Sequence, residues 1–345
     1  MTTLTIRKPD DWHVHFRDGE VLKAVAPYSA AHFKRAIVMP NLAPPVTTAK
    51  MAADYRTRIL AATAGSGFVP LMTCYLTDET DAKDLIGGFR DGVFTAVKLY
   101  PAHATTNSAF GVTDYAKIAR VLQRMEKIGM PFLMHGEYVA PDVDIFDREA
   151  VFIDRLLSKW LKQFPALRMT LEHLSSNEAV DFVASAAPQL GGTITPYHMM
   201  LTRTDWLGHG LKPYMYVMPV IKTGRDKTAL RRAATSGKPC YFLGTDSAPH
   251  PYAKKVSVSG IPGMFNAPVA IESYAQVFEE EGALDKLEAF ASLNGAKHYR
   301  MPPNDETITL EKTPWTAPEE VKVAGPDERA LIYRGGETIA WKIVS

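Results

Sequence analysis

Residues 11–16 read Asp-Trp-His-Val-His-Phe, a short apolar run with histidines at its third and fifth positions. In an extended strand the side chains i and i+2 point to one side, so His13 and His15 share a face while Val14 packs the other way. Seven further runs of this kind follow: Ala36–Asn41 (AIVMPN), Phe68–Leu76 (FVPLMTCYL), Thr95–Tyr100 (TAVKLY), Pro131–Gly136 (PFLMHG), Arg168–His173 (RMTLEH), Gly192–His198 (GTITPYH) and Cys240–Asp246 (CYFLGTD). Their near-continuous apolar character suits strands buried on both faces.

Between them lie stretches with apolar residues returning at three and four positions, among them Thr48–Thr63, Thr113–Ile128, Asp147–Gln163 and Asp226–Thr235. That period is helical. Eight strand-helix repeats within roughly 250 residues predict an α/β fold of the (β/α)₈ TIM-barrel type in preference to a doubly wound sheet. No linker or low-complexity stretch divides the 345 residues, so one barrel domain over 1–345 is expected. Its C-terminal extension, from about Pro302, carries the runs Arg329–Tyr333 (RALIY) and Thr338–Val344 (TIAWKIV) and is expected to pack on the barrel.

The formal charge is +1, with basic and acidic residues interspersed, which gives no footprint for nucleic acid or an anionic membrane. A small-molecule partner is the expectation. Cys74 and Cys240 are too few for a disulfide framework and lack thiolate-zinc spacing. The N-terminus has no apolar core of signal-peptide length, and no run approaches the ~18 apolar residues of a spanning helix, so a cytoplasmic protein is expected.

The chemistry collects at the C-terminal ends of the runs, the catalytic face of such a barrel. His13 and His15 end the first, Lys98 lies near the end of the fourth, and His135, His173 and Asp246 end the fifth, sixth and eighth. Each histidine taken singly is more often a hydrogen-bonded structural residue than a ligand. Jointly, four histidines and one aspartate supply what a two-zinc hydrolytic site requires. Lys98 is the odd member, because an ammonium beside metal cations would be repelled. Carbamylation by carbon dioxide would turn it into an anionic carboxylate able to bridge two metals.

The segments DWHVHFRDG, VMPNLAPPVTT, TAVKLYPAHATTNS, HGE, DIFDREA, EHLSS, TPYHMM, LGTDSAPH and FNAPVA occur in this order between residue 11 and about residue 270. In that combination the chain resembles the dihydroorotases of the single-domain bacterial type, within the amidohydrolase superfamily. The resemblance implies two zinc ions per chain. His13, His15, Lys98 and Asp246 would hold one, and Lys98, His135 and His173 the other, with Lys98 as N6-carboxylysine bridging them together with a hydroxide. It further implies that Arg17, Asn41 and His250 grip the substrate carboxylate, that His15 and His135 also touch substrate, and that Met218 and Pro262 offer main-chain contacts to the pyrimidine ring. A homodimer is implied by analogy.

The implied reaction is the reversible closure of N-carbamoyl-L-aspartate to (S)-dihydroorotate and water in UMP biosynthesis, with the bridging hydroxide as nucleophile of ring opening and Asp246 as general acid and base. The chain departs from the family pattern in Lys255–Met264 (KVSVSGIPGM), which lacks the cysteines of some relatives, in EHLSS, where a threonine pair is common, and in Met218, where leucine is frequent. None of these removes an expected ligand.

His103–Gly111 (HATTNSAFG) is expected to close over substrate, with Thr105 and Thr106 reaching it. His32, His103, His209 and His298 are given no catalytic role, and His198 a structural one. The rival readings are a hydantoinase-like or allantoinase-like cyclic amidase, a one-metal deaminase, and a catalytically dead scaffold barrel. Lys98 argues against the deaminase. The triple Arg17, Asn41 and His250 argues for a carboxylate-bearing ring, because a neutral ring would leave those polar groups unpaired. Retention of every expected ligand argues against the scaffold.

Overall fold

The computed structural model describes residues 2–208, 210–325 and 328–344. Eight strands form one parallel sheet in sequential order: β2 (Asp10–Val14), β3 (Arg35–Val38), β4 (Val69–Tyr75), β5 (Ala96–Leu99), β6 (Phe132–Met134), β7 (Met169–Leu171), β8 (Leu190–Ile194) and β9 (Tyr241–Leu243), preceded by β1 (Thr3–Arg7). The sheet closes just beyond its last strand. Asp246 N donates to His13 O at 2.9 Å, His15 N donates to Ser247 O at 2.9 Å, and Val14 and Ser247 form a parallel bridge. The seam of the (β/α)₈ barrel is therefore built from the same residues that carry the histidine pair and the aspartate.

Alternation decides what faces inward. Val38, Val97 and Met134 belong to the large core between sheet and helices, whereas Ile37, Ala96, Leu133 and Phe242 form a separate small cluster with Trp12, Ala296 and Tyr299. That cluster fills the barrel interior, and Tyr299 stacks on Trp12 at 4.7 Å between ring centroids. Lys98 and His135 stand two residues beyond Ala96 and Leu133, on the same inward face. The register between β2 and β3 shifts between Asp11 and Val14, a local irregularity that re-aims side chains at the barrel rim.

The helices follow the sequence with informative exceptions. Thr48 caps Ala49–Ala62 by accepting from Met51 N. The stretch 113–128 becomes helical only at Ala119–Ile128, because Asp78 accepts from the backbone of Thr113 and Asp114 and Asp114 accepts from Ala116 N, which holds the first residues in turns. The stretch 147–163 is helical but carries a π-turn at Ile153–Leu157. The seventh run is shorter than its composition suggests: β8 ends at Ile194, Thr195 caps a helix, and Pro196 occupies its first turn, so His198 sits on Pro196–Met200 and not at a strand end.

Among the described residues the C-terminal segment forms six short strands, β10 (Thr307–Glu311), β11 (Trp315–Thr316), β12 (Glu320–Lys322), β13 (Arg329–Leu331), β14 (Thr338–Ile339) and β15 (Lys342–Ile343). β10 pairs antiparallel with β1 and with β15, joining the two ends of the described chain in one small sheet. Trp341, fully buried between the last two strands, anchors it. Among the described residues no helix is long and apolar enough to cross a membrane.

Candidate metal centre

At the barrel mouth His13, His15 and Asp246 turn one ligand atom each toward a common point, all within 4.8 Å of one another. His13 Nε2 lies 3.2 Å from His15 Nε2, and Asp246 Oδ1 lies 3.3 Å and 3.1 Å from those nitrogens. A tetrahedral zinc with bonds of about 2.0–2.1 Å sets its ligand atoms about 3.3 Å apart. Two imidazole nitrogens and a carboxylate oxygen at these separations are the donor set and the edge lengths of such an ion. A second pair adjoins, with His135 Nδ1 at 3.1 Å from His173 Nε2, and the rings of His13 and His173 are 5.1 Å apart. The residues fit a metal ion at the first corner, and the second pair places two further imidazole donors beside it.

The backbone is strained where it delivers these side chains. Arg17, His173 and Asp246 have φ of 61°, 43° and 46°, the left-handed region that non-glycine residues rarely occupy. Such conformations cost about 1–3 kcal/mol each and persist where the surroundings over-determine them. At Asp246 the surroundings are the barrel seam itself.

Burial dominates the electrostatics. It lowers the pKa of His13 and His135, takes His15 down to about 3 and holds His173 well below the ordinary range, so the rings are neutral and free to ligate. Burial alone would raise Asp246, but His13 and His15 more than offset it and keep the carboxyl ionised. Lys98 is fully buried, and burial drives its pKa well below the ordinary value. Its Nζ contacts Glu172 Oε2 and lies 5.1 Å from the Tyr100 ring centroid.

The rim carries the remaining expected residues. Asn41 Oδ1 is 2.8 Å from His15 Nδ1, and Arg17 Nη2 is 2.8 Å from His250 Nε2, which itself lies 3.1 Å from Pro262 O. Burial, then the Arg17 charge, holds His250 well below its ordinary pKa, so the ring is neutral. The 103–111 loop lies over this rim. Thr106 Oγ1 donates to Pro262 O at 3.1 Å, and Asn41 Nδ2 donates to Thr106 O at 2.9 Å. The cavity at the mouth, about 320 Å³ of empty space, is lined by His13, His15, Arg17, Asn41, Thr105, Thr106, His135, His173, Met218, Asp246 and Pro262, and also by Tyr100, Ala248 and Gly263.

Several groups at this centre escape a reading by strand ends. Tyr197 donates to Asp246 Oδ2 at 2.5 Å from a helix. Glu137 Oε2 lies 2.6 Å from His135 Nε2, Glu172 Oε1 lies 3.2 Å from His13 Nδ1, and Asp11 accepts from His13 N and Thr245 N. The signal was a carboxylate within two residues of a histidine, in HGE, EHL and DWH. Of the other histidines, His198 spends both ring nitrogens on Thr195 and Pro219 O, His32 faces Ala267 O, and His298 faces Thr170 away from the mouth. His103 lies in the loop over the rim, and His209 lies outside the described residues.

Residues 10–315 match the sequence profile described as the amidohydrolase family. A dihydroorotase of Erythrobacter litoralis is 54% identical over 342 residues, covering 99% of each chain. The chain belongs to the dihydroorotases of the amidohydrolase family. With that family it is a hydrolase of cyclic amide bonds. A dihydroorotase of Novosphingobium aromaticivorans is 53% identical over 345 residues, again covering 99% of both chains. Among solved structures, the Saccharomyces cerevisiae dihydroorotase in complex with 5-fluoroorotic acid superposes with a TM-score of 0.92 at 29% identity, covering 100% of this chain and 99% of that one. The L-hydantoinase of Arthrobacter aurescens, at 16% identity and a TM-score of 0.81, shares the fold and covers 99% of this chain and 83% of its own.

Proposed function

We propose that the chain catalyses the reversible cyclisation of N-carbamoyl-L-aspartate to (S)-dihydroorotate and water, the ring-forming step of UMP synthesis. The observation that carries this reading is the wiring of the arm Arg17–Asn41–His250 to the ligand cluster: His15 offers Nε2 to the metal corner and Nδ1 to Asn41. A carboxylate gripped at that arm sets the neighbouring amide over the cluster.

His13, His15, Lys98 and Asp246 would hold one zinc and Lys98, His135 and His173 the other, with Lys98 carboxylated as the bridging ligand. Such ions, when bound, would lower the pKa of a coordinated water to about 7 and polarise an amide carbonyl. Arg17 supplies a planar fork for the substrate carboxylate, and Asn41 Nδ2 and His250 complete its cradle. Met218 and Pro262 face the ring through their main chain. With Oδ1 directed to the metal corner, Oδ2 of Asp246 is the oxygen that takes the proton in ring opening and returns it to the ring nitrogen, and closure runs the same path backwards. Thr105 and Thr106 shut the site against water.

The same reading takes residues 1–345 as one amidohydrolase unit, a cytoplasmic homodimer whose partner is the small-molecule substrate alone. To test it, the protein is purified without chelator, metal per chain is measured, and dihydroorotate ring opening is followed by ultraviolet absorbance before and after metal removal. The expectation is about two zinc ions per chain, as a two-metal site demands, and activity that leaves with them. Hydantoin and allantoin, run alongside, should not turn over. Metal without dihydroorotate turnover would refute the substrate, and no metal would refute the ligand set.

A further inference from the structure

The strap from His250 to Met264 separates two spaces. Pro262 and Gly263 line the cavity over the ligand cluster, and on the other side Lys255 and Gly263 line a larger open cavity of about 1270 Å³ of empty space. A segment with a hollow behind it has fewer packing partners on that side and leans more on polar ties. One such tie comes from within.

Lys255 supplies it. The side chain folds back under the strap, only 6% exposed, and Nζ donates to Tyr216 O at 2.7 Å, Ile261 O at 2.9 Å and Gly263 O at 2.7 Å. An ammonium has three N–H groups, and here three carbonyls meet them. A neutral amine would turn a lone pair on one of the three. Burial, then the Arg17 charge, pull Lys255 down to about 7, and three carbonyl acceptors at hydrogen-bond distance act against that pull by favouring the charged form.

The tie joins two segments of the substrate arm. Tyr216 O also accepts from Gly263 N at 2.9 Å, and Tyr216 lies two residues before Met218. Between the two tied carbonyls of the strap sits Pro262 O, the acceptor of the Thr106 hydroxyl. Gly263 has φ 138°, and a Cβ there would lie 2.6 Å from Ala248 O, so the strap runs against backbone with no slack on the inner side.

We propose that Lys255 is a positioning residue for the substrate arm: its ammonium ties Tyr216, Ile261 and Gly263 so that Pro262 O is presented to the Thr106 hydroxyl and the Met218 segment keeps its place over the ring. The kinetic consequence rests on the dihydroorotate reading, while the tie itself does not.

The test compares wild type, Lys255→Met and Lys255→Arg as full-length, zinc-loaded proteins, by steady-state kinetics on dihydroorotate and by backbone amide hydrogen exchange. Lys255→Met is expected to keep its metal, to raise KM by roughly tenfold to a hundredfold, the scale of a positioning contact displaced by about 1 Å, and to lower kcat less. Exchange should quicken in 256–264 and 214–218 and not in the barrel strands. Lys255→Arg keeps the charge but offers a planar fork to a tripod of acceptors, so its KM should fall between the two. A Lys255→Met protein with KM within about twofold of wild type and unaltered exchange in both segments would overturn the proposal, because a displaced contact of this kind leaves a larger trace. Should that variant fail to fold, unchanged KM and exchange in Lys255→Arg would overturn it equally. A wild type that turns over no dihydroorotate refutes the reaction, and the exchange comparison still decides the tie.

Discussion

The Tyr197 hydroxyl donates to Asp246 Oδ2 at 2.5 Å, while Oδ1 of the same carboxylate faces His13 and His15. The two oxygens thus have different tasks, and the phenol fixes which is which. Both residues are buried, and burial holds the Tyr197 hydroxyl well above its ordinary pKa, so it donates throughout the working range.

Tyr197→Phe removes that donor without changing shape. The hydrogen bond goes to a charged group and is worth about 1.5–3 kcal/mol, so kcat should fall roughly tenfold to a hundredfold. Zinc content should not change, since no ligand atom is lost. Steady-state kinetics beside metal analysis checks this, and a variant with wild-type kcat would mean that the orientation of Asp246 is set by the barrel seam alone.

Glu137 holds His135 by the ring nitrogen opposite the one that meets His173. A carboxylate in that position fixes tautomer and ring direction and raises ligand basicity. Glu137→Gln is expected to weaken retention of one zinc by about 10–100-fold, read by chelator competition. Loss of both ions together, or of neither, would contradict the assignment of His135 to one of two separable positions.

Much of this was legible in the sequence, for a physical reason. Strands buried on both faces must be continuously apolar, so a polar residue at their ends stands out, and His13, His15, Lys98, His135 and His173 were found that way. Asp246 was within reach because its run extends three residues beyond β9. Tyr197 and Lys255 were not, because each acts from a short helix whose direction no periodicity reveals, and Asp246 and Tyr216, which they touch, lie 49 and 39 residues away along the chain. The end of β8 was misjudged for a local reason: Pro196 sits as readily in a helix's first turn as beside a strand.

Glu272 gives a stability prediction with a definite sign. It is buried in Ala270–Glu280, its Oε2 has no hydrogen-bond partner among the described residues, and burial raises its pKa from 4.5 to about 7. Between those values the folded chain keeps a proton that the unfolded chain has lost, so stability falls as pH rises through the window and stays reduced above it. Glu272→Gln abolishes the titration. At 1.36 kcal/mol per unit, the variant should gain up to about 3 kcal/mol on wild type between pH 4 and pH 8. Urea unfolding of both proteins at the two pH values checks it, and an equal difference at both would sink the argument.

Lys98 carries the prediction that separates a bridging ligand from a buried ion pair. As an amine it contacts Glu172, and a lysine paired with a buried carboxylate would be a structural element whose removal strands Glu172 and costs about 3–5 kcal/mol. As a carbamate it would be an anion on the inward face above Ala96, and its removal would open a space in reach of both histidine pairs. Lys98→Ala distinguishes the two. A structural lysine predicts a destabilised protein that still binds metal and that no small acid can restore. A bridging carboxylate predicts loss of one or both zinc ions and of activity, with part of each returning when a small carboxylic acid such as acetate or propionate is supplied to occupy the vacated volume. Metal content and dihydroorotate turnover, each measured with and without the added acid, give the answer, and full activity in Lys98→Ala would exclude the carbamate.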